Sequence, residues 1–387
     1  MRRFIPALVV STIVVGMAPF AGEIRDWISE ALAAGFVRIM GGAFAVAVAA
    51  IVVWVLARIR DDRVRRYGLL FLGLALLVGQ LAGWSRADAA VNAVERIHFL
   101  YYGLLGFLWL RAFQRGRADL SAPLLALEAL LLVAIADEGV QWWVAARTGE
   151  LYDVALNVYA GATGILVGLA LVGPRSLRWR LAGGGGSLAR LGAVAVVALA
   201  AFLHAAHLGY RVDDPEVGTF RSYFTAEALR EASRDRAARW AAEPLGPPGE
   251  FAPLEREDWF RTEGGLRVQH RNAALERGDV YQAWKENLLL ERWYAPFLDQ
   301  QNRDGNPFRL PEATRAELER KQPARDPYPY DDPVGRQPLR IWLAPSKAQL
   351  WIGAAAVVLV LTAAPAVLRS RVATARSSVP SSDERIP

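Results

Sequence analysis

The sequence predicts an all-α fold: a polytopic helical membrane protein of about eight transmembrane helices, with a mainly helical extracytoplasmic domain between spans seven and eight. Three observations carry this. First, the 387 residues are 53% hydrophobic. The apolar residues fall into blocks of roughly 18–22, enough to cross a hydrocarbon core of about 30 Å at about 1.5 Å per residue. Second, alternate loops carry 18 arginines against five, flanking residues included. By the positive-inside rule this puts both termini in the cytoplasm. Third, the stretch 208–347 is polar and rich in Arg, Glu and Trp, and falls on the extracytoplasmic side.

The blocks run at about 4–22, 36–57, 67–84, 97–113, 120–143, 154–173, 188–207 and 349–368. Residues 1–66 hold two N-terminal helices around an acidic outer loop, "EIRDWISEALAAG". The first is read as retained: cleavage after Ala21 would leave Pro19 third from the cut, a poor signal-peptide site. Spans three to six, within 67–173, form a four-helix module with short loops. In 174–207, "GGGGS" (183–187) reads as a hinge before span seven. No Lys-Ser/Thr follows these glycines, so they are not a P-loop.

In 208–347, Thr225 caps a helix over 225–243. Residues 266–299 read as two helices joined at Gly278-Asp279, with Leu266 starting the first and Pro296 limiting the second. A single tetratricopeptide-like hairpin fits this stretch, but no second copy follows at a fixed period. No strand alternation of useful length is visible. Prolines are dense from 302 to 347, and 348–387 holds the last span and a polar cytoplasmic tail.

There are no cysteines, which excludes disulfides and thiolate chemistry. The net charge of +6 is explained by loops beside the spans, so no nucleic-acid partner is expected. No nucleophile elbow, zinc-protease motif, dinucleotide fingerprint or kinase signature appears, and no cofactor is expected. His204 and His207 have a spacing that permits shared metal ligation, but sequence fixes no third ligand, so no metal is predicted.

Candidate functional residues gather at one membrane level. Span four opens with Glu95, Arg96 and His98. Span five ends with Asp137, Glu138 and Gln141. Arg147 lies in the next loop, and span six begins with Asp153 and Asn157. On span six, Asp153, Asn157, Gly161, Gly164 and Gly168 share one helical face, polar above and glycine below. The glycine half should admit a neighbouring helix closely. Taken singly, each polar residue has an interfacial role: Asp153 at a helix start meets the dipole, and Trp142, Trp143 and Tyr152 fit an aromatic belt. Taken together, such a set is costly at a membrane edge and points to function. Glu128, deeper in span five, must be protonated or paired.

On these residues the sequence resembles the VanZ-like family. The resemblance covers roughly 67–173. It rests on "HFLYYGLL" (His98, Phe99, Tyr102) and "DEGVQWWVAARTGELYDVALNVYAGATGILVG" (Glu138, Gln141, Arg147, Asp153, Asn157, Gly161, Gly164). The family usually has an acid and a lysine before the histidine; here the pair is Glu95-Arg96. The resemblance implies an integral protein of the bacterial cytoplasmic membrane, in a family associated with resistance to the glycopeptide teicoplanin. It does not extend to 208–347.

The expected function is binding of a polar or anionic lipid headgroup or cell-wall precursor in an outward-facing pocket. Arg147, Arg96 and His98 would contact anionic groups, while Asp137, Glu138, Asp153, Gln141 and Asn157 orient those cations. Expected partners are membrane lipids, with a cell-wall precursor or envelope protein beside them. Two competitors stand. One is an intramembrane enzyme on a lipid-linked substrate, with His98 or Glu138 as general base. The other is a scaffold presenting 208–347 to a protein.

Overall fold

A computed structural model of the chain describes residues 2–83, 89–114, 118–143, 149–174, 177–178, 181, 185–243, 259–301, 305–321, 332 and 346–377. It is predominantly helical and divides into two compact units. The first comprises Met1–Val140, Leu151–Phe202 and Gln349–Pro387; the second comprises Gln141–Glu150 and Leu203–Ala348.

The first unit is built from α1 (Ile5–Met17), α2 (Ala21–Leu32), α3 (Phe36–Arg58), α4 (Arg63–Gly83), α5 (Ala89–Gln114), most of α6 (Ser121–Trp143), α7 (Leu151–Val172), most of α8 (Gly185–Ala206) and, near the end of the chain, α14 (Lys347–Ser377). Among the described residues, five helical stretches are long and apolar enough to cross a membrane: Arg2–Leu32, Phe36–Arg58, Arg63–Leu81, Leu151–Val172 and Gly185–Ala206. The helices α5 and α6 are outside that set for a chemical reason. One carries Arg96, His98, Tyr101 and Tyr102; the other carries Glu128, Asp137 and Glu138.

Two local expectations change. The loop expected at "EIRDWISEALAAG" is helix α2, reached through one 3-10 turn at Ala18–Phe20 around Pro19. Its Ala, Leu and Glu are good helix formers. The "GGGGS" hinge is only partly seen: 183–184 lie outside the described residues, and Gly185–Ser187 form the first turn of α8.

Helix α7 is the centre of the unit. Of its apolar window, 56% is buried, against 11% for α3. Glycine makes this possible. A methyl group on Gly164 would fall 1.9 Å from the Gly103 carbonyl oxygen on α5, and one on Gly106 would fall 2.1 Å from that of Gly161. The α5 and α7 backbones therefore touch, as small residues allow between apolar helices. Gly161 also meets Leu130 of α6. At the far end, Arg66 of α4 closes α7: its guanidinium donates to the carbonyls of Ala170 (2.7 Å), Leu171 (3.1 Å) and Gly173 (3.0 Å). Arg65 donates to Pro174 at 2.5 Å. These are the orphan carbonyls of a helix C-terminus, and cations there also complement the dipole.

The second unit opens with a hairpin, β1 (Tyr210–Asp214) and β2 (Gly218–Ser222), antiparallel with Tyr210 opposite Ser222. No strand was expected here, because five residues per strand give too short an alternation. The turn was encoded nonetheless. The Asp214 carboxylate accepts the N–H groups of Glu216 (2.9 Å) and Val217 (3.0 Å), and Gly218 takes φ +95°. Helices α9 (Ala226–Ala242), α10 (Trp259–Glu276), α11 (Val280–Trp293), α12 (Ala295–Leu298) and α13 (Glu312–Lys321) follow. Thr225 caps α9 as expected, accepting from Ala228 N–H. Gly278 (φ +73°) and the Asp279 cap join α10 to α11. α10 begins seven residues before Leu266, at Trp259, because Phe260 and Glu263 already lie inside the core. That core gathers Val212, Phe220, Leu229, Phe260, Leu289, Trp293, Tyr294 and Phe297.

Candidate functional site

The contacts of α7 fix which ends of the helices meet. Gly161 touches Leu130 and Gly168 touches Leu110, so the starts of α5 and α7 lie beside the end of α6. Four polar side chains converge there. His98 on α5 reaches Asn157 on α7, Nδ1 to Oδ1, at 2.9 Å. One turn along α5, the Tyr102 hydroxyl donates to Asp137 Oδ2 on α6 at 2.8 Å. The two α5 rings stack, 6.3 Å between centroids and 15° between planes. A carbonyl oxygen only accepts, so the pairing puts a proton on His98 Nδ1, and in the neutral ring the lone pair is then on Nε2.

Asn157 is completely buried, and its amide nitrogen has no partner among the described residues. Asp137 and Glu138 are buried beside each other at the end of α6. A buried amide N–H without an acceptor costs about 1–3 kcal/mol, so this spot is poised to donate to something.

The structure thus brings together His98, Asp137 and Asn157, with Glu138 adjacent in sequence. Asp153 sits one turn before Asn157, half-buried in the first turn of α7. Gln141 is buried but belongs to the second unit. Arg147 lies outside the described residues. Arg96 turns the other way: its guanidinium lies against α3, 3.3 Å from where a Gly41 methyl would be. Being two residues from His98, it sits about 200° around the helix, so it faces a different neighbour.

Tyr102 belongs to the site although sequence reasoning gave it no role there. Its signal was its place one turn after His98 on the same face. Glu128 points at α8, its Oε1 3.1 Å from where a Gly192 methyl would be, with Oε2 buried and unpartnered among the described residues. Among the described residues no three metal-ligating side chains assemble, at His204 and His207 or elsewhere.

On the other side of the α5–α7 pair, α3, α4, α5 and α7 line an apolar cavity of about 300 Å³, open where Ile51, Trp54 and Leu104 are exposed.

The second unit holds a larger polar network that sequence reasoning missed. Arg267, fully buried, lies 3.6 Å from Glu286 and 3.3 Å from Asp332, and donates to the Arg221 carbonyl at 2.8 Å. Its guanidinium also lies 5.1 Å from the Phe220 ring centroid. Glu263, equally buried, accepts from Ser222 (2.8 Å), Tyr294 and the Tyr223 N–H. Burial pushes the Glu263 carboxyl up, partly opposed by Arg267, the Tyr223 N–H and the two hydroxyls. For Arg271, burial lowers the pKa to about 10 against the pull of Glu286 and Glu291.

No family model, curated protein or solved structure matches the chain.

Proposed function

We propose that this chain is an eight-span membrane protein that binds a polar lipid-linked ligand of the bacterial envelope, a headgroup or cell-wall precursor, at the joined ends of α5, α6 and α7. One observation carries this: a buried polar cluster drawn from three apolar helices, with the Asn157 amide nitrogen still unanswered. A set of that kind is expensive among apolar helices unless it meets a ligand. His98 Nε2 and Asn157 would contact the ligand, Tyr102 and Asp137 would hold His98 in place, and Glu138 and Asp153 would border it. The VanZ-like resemblance of His98, Glu138, Asp153 and Asn157 supports the same reading and extends it to glycopeptide tolerance.

The test is complementation of a deletion strain, read as teicoplanin susceptibility, with lipids co-purified from each variant. His98→Ala and Asn157→Leu are expected to lose tolerance and the bound ligand while remaining monodisperse. Wild-type tolerance in both would reject the reading. The topology is open to a cleaner check, since the chain has no cysteine. A membrane-impermeant maleimide should label Glu231→Cys and spare Arg60→Cys in intact cells.

A second reading has its own observation. A histidine held at Nδ1 by a side-chain carbonyl, with Nε2 open, is the arrangement of a general base. A lipid-linked ligand recovered unchanged after long incubation with the wild type would remove this reading.

A further inference from the structure

The cavity on the opposite side of α5 and α7 is a separate site. Its lining is apolar along its length, from Phe44 and Val48 on α3 to Leu74 on α4 and Phe107 on α5, and about 300 Å³ is the lower end of ligand-sized cavities. Arg96 stands at one end. On α5 it shares a face with Leu100, Gly103 and Phe107, at helical spacings of four, three and four. Its guanidinium lies over Gly41, and Gly41 shares a face of α3 with Phe44 and Val48. Among the described residues Arg96 has no ion pair or hydrogen bond. At the same end, one turn beyond Leu77 on α4, Gln80 is 4% exposed and its amide oxygen has no partner among the described residues.

An apolar cavity with, one turn beyond Leu100, a cation that has no ion pair among the described residues has one complementary class of ligand. We infer that this cavity holds the hydrocarbon chain of a phosphate-headed lipid, with the phosphate on Arg96 and its chain running between α3 and α5 toward Phe107. The guanidinium fork matches phosphate oxygens, and its stem lies along apolar surface. The chain meets aliphatic and aromatic side chains, with polar atoms only on the side chains of Thr163 and Trp54. Straight acyl and branched prenyl chains share this chemistry.

This site does not rest on the His98 cluster. The test uses the full-length chain in detergent and three probes: dodecyl phosphate, farnesyl phosphate and dodecanol. Dissociation constants are read by thermal shift and by native mass spectrometry. The wild type should bind a phosphate-headed probe at least tenfold more tightly than dodecanol. Arg96→Gln should bring that ratio close to one, and Arg96→Lys should keep most of it. Val48→Trp, which fills the cavity, should abolish binding of all three. Preference for dodecyl over farnesyl phosphate assigns an acyl chain; the reverse assigns a prenyl chain. Equal affinity of dodecyl phosphate and dodecanol in the wild type, or an unchanged ratio in Arg96→Gln, overturns the proposal. So does undiminished binding in Val48→Trp.

Discussion

The two units bury polar side chains by different means. In the first, a hydrogen bond from His98 to Asn157 joins α5 to α7 and one from Tyr102 to Asp137 joins α5 to α6, with further interactions at Asp137 and Glu138. Close backbone contact at Gly103, Gly106, Gly161 and Gly164 holds those helices together. In the second, Arg267 alone meets two carboxylates, a backbone carbonyl and two aromatic faces. Glu263 meets a hydroxyl on each of two residues and a backbone N–H. The difference is instructive about role. Among the described residues each unit leaves buried atoms without a hydrogen bond, the Asn157 amide nitrogen in the first and Arg267 Nε and Glu286 Oε2 in the second, but the network around Arg267 and Glu263 ties each charged group to several partners, as a structural core does.

The largest expected effect comes from breaking the network around Arg267. Arg267→Ala takes a guanidinium away from buried Glu286 and Asp332, and should cost the second unit about 3–5 kcal/mol. Urea denaturation of the purified chain, followed by tryptophan fluorescence, measures it. A loss below about 1 kcal/mol, the value of an exposed ion pair, would remove the contrast between the units.

Close packing comes next. Gly164→Ala places a methyl group on the Gly103 carbonyl, and neither backbone can yield without separating α5 from α7. Overpacking of this kind costs about 1–3 kcal/mol. A thermal melt of the first unit in detergent should fall, and the same substitution at Gly139, where nothing lies within 4 Å, should leave it unchanged.

Gly161, Gly164 and Gly168 of α7 were legible in the sequence from spacings of three and four on an apolar helix, while Gly103 and Gly106, the α5 side of the same contact, were not. The polar face of α7 was legible for the same reason, and so were the Thr225 cap and the Gly278-Asp279 turn. What was not legible had to be decided by pairing across the chain. Arg66 reads as one more basic residue beside a span, yet it caps a helix about a hundred positions away. Arg96 reads as a partner of His98, yet a shift of two residues turns it to α3. Glu263 lies outside the helix expected from Leu266, and its burial with Arg267 depends on the hairpin, α11, Tyr294 and Asp332 meeting α10.

Acid and base dependence separates two carboxylates of the second unit. For Glu263, burial raises the folded pKa above the ordinary value, so its contribution is complete below about pH 4 and fades as pH rises through the folded pKa. Asp214 runs the other way. Burial opposes its ionised form, but the N–H groups of Val217 and Glu216 and then Arg292 outweigh it and hold the pKa down. Its contribution is present above about pH 4 and fades as pH falls. Melting temperatures across pH 3–8 should therefore show Glu263→Gln gaining on the wild type as pH rises, and Asp214→Asn gaining as pH falls. Parallel curves for the two variants would contradict the opposite signs.

The smallest effect is the one that tests the ligand cluster as something other than a core. Tyr102→Phe deletes a single hydroxyl between α5 and α6. Hydrogen bonds between helices in a membrane average about 0.6 kcal/mol, and Asp137 keeps its other interactions. The stability change should be of that order, and a double-mutant cycle with Asp137→Asn should return a coupling no larger than about 1 kcal/mol. Ligand binding should fall by more than stability does, because the hydroxyl's bond to Asp137 fixes the ring that stacks on His98, the side chain proposed to meet the ligand. A Tyr102→Phe variant that loses several kcal/mol of stability would make this cluster a core like the one around Arg267. A variant that loses little stability but binds its envelope ligand several-fold more weakly separates the two units by what their buried polar groups are for.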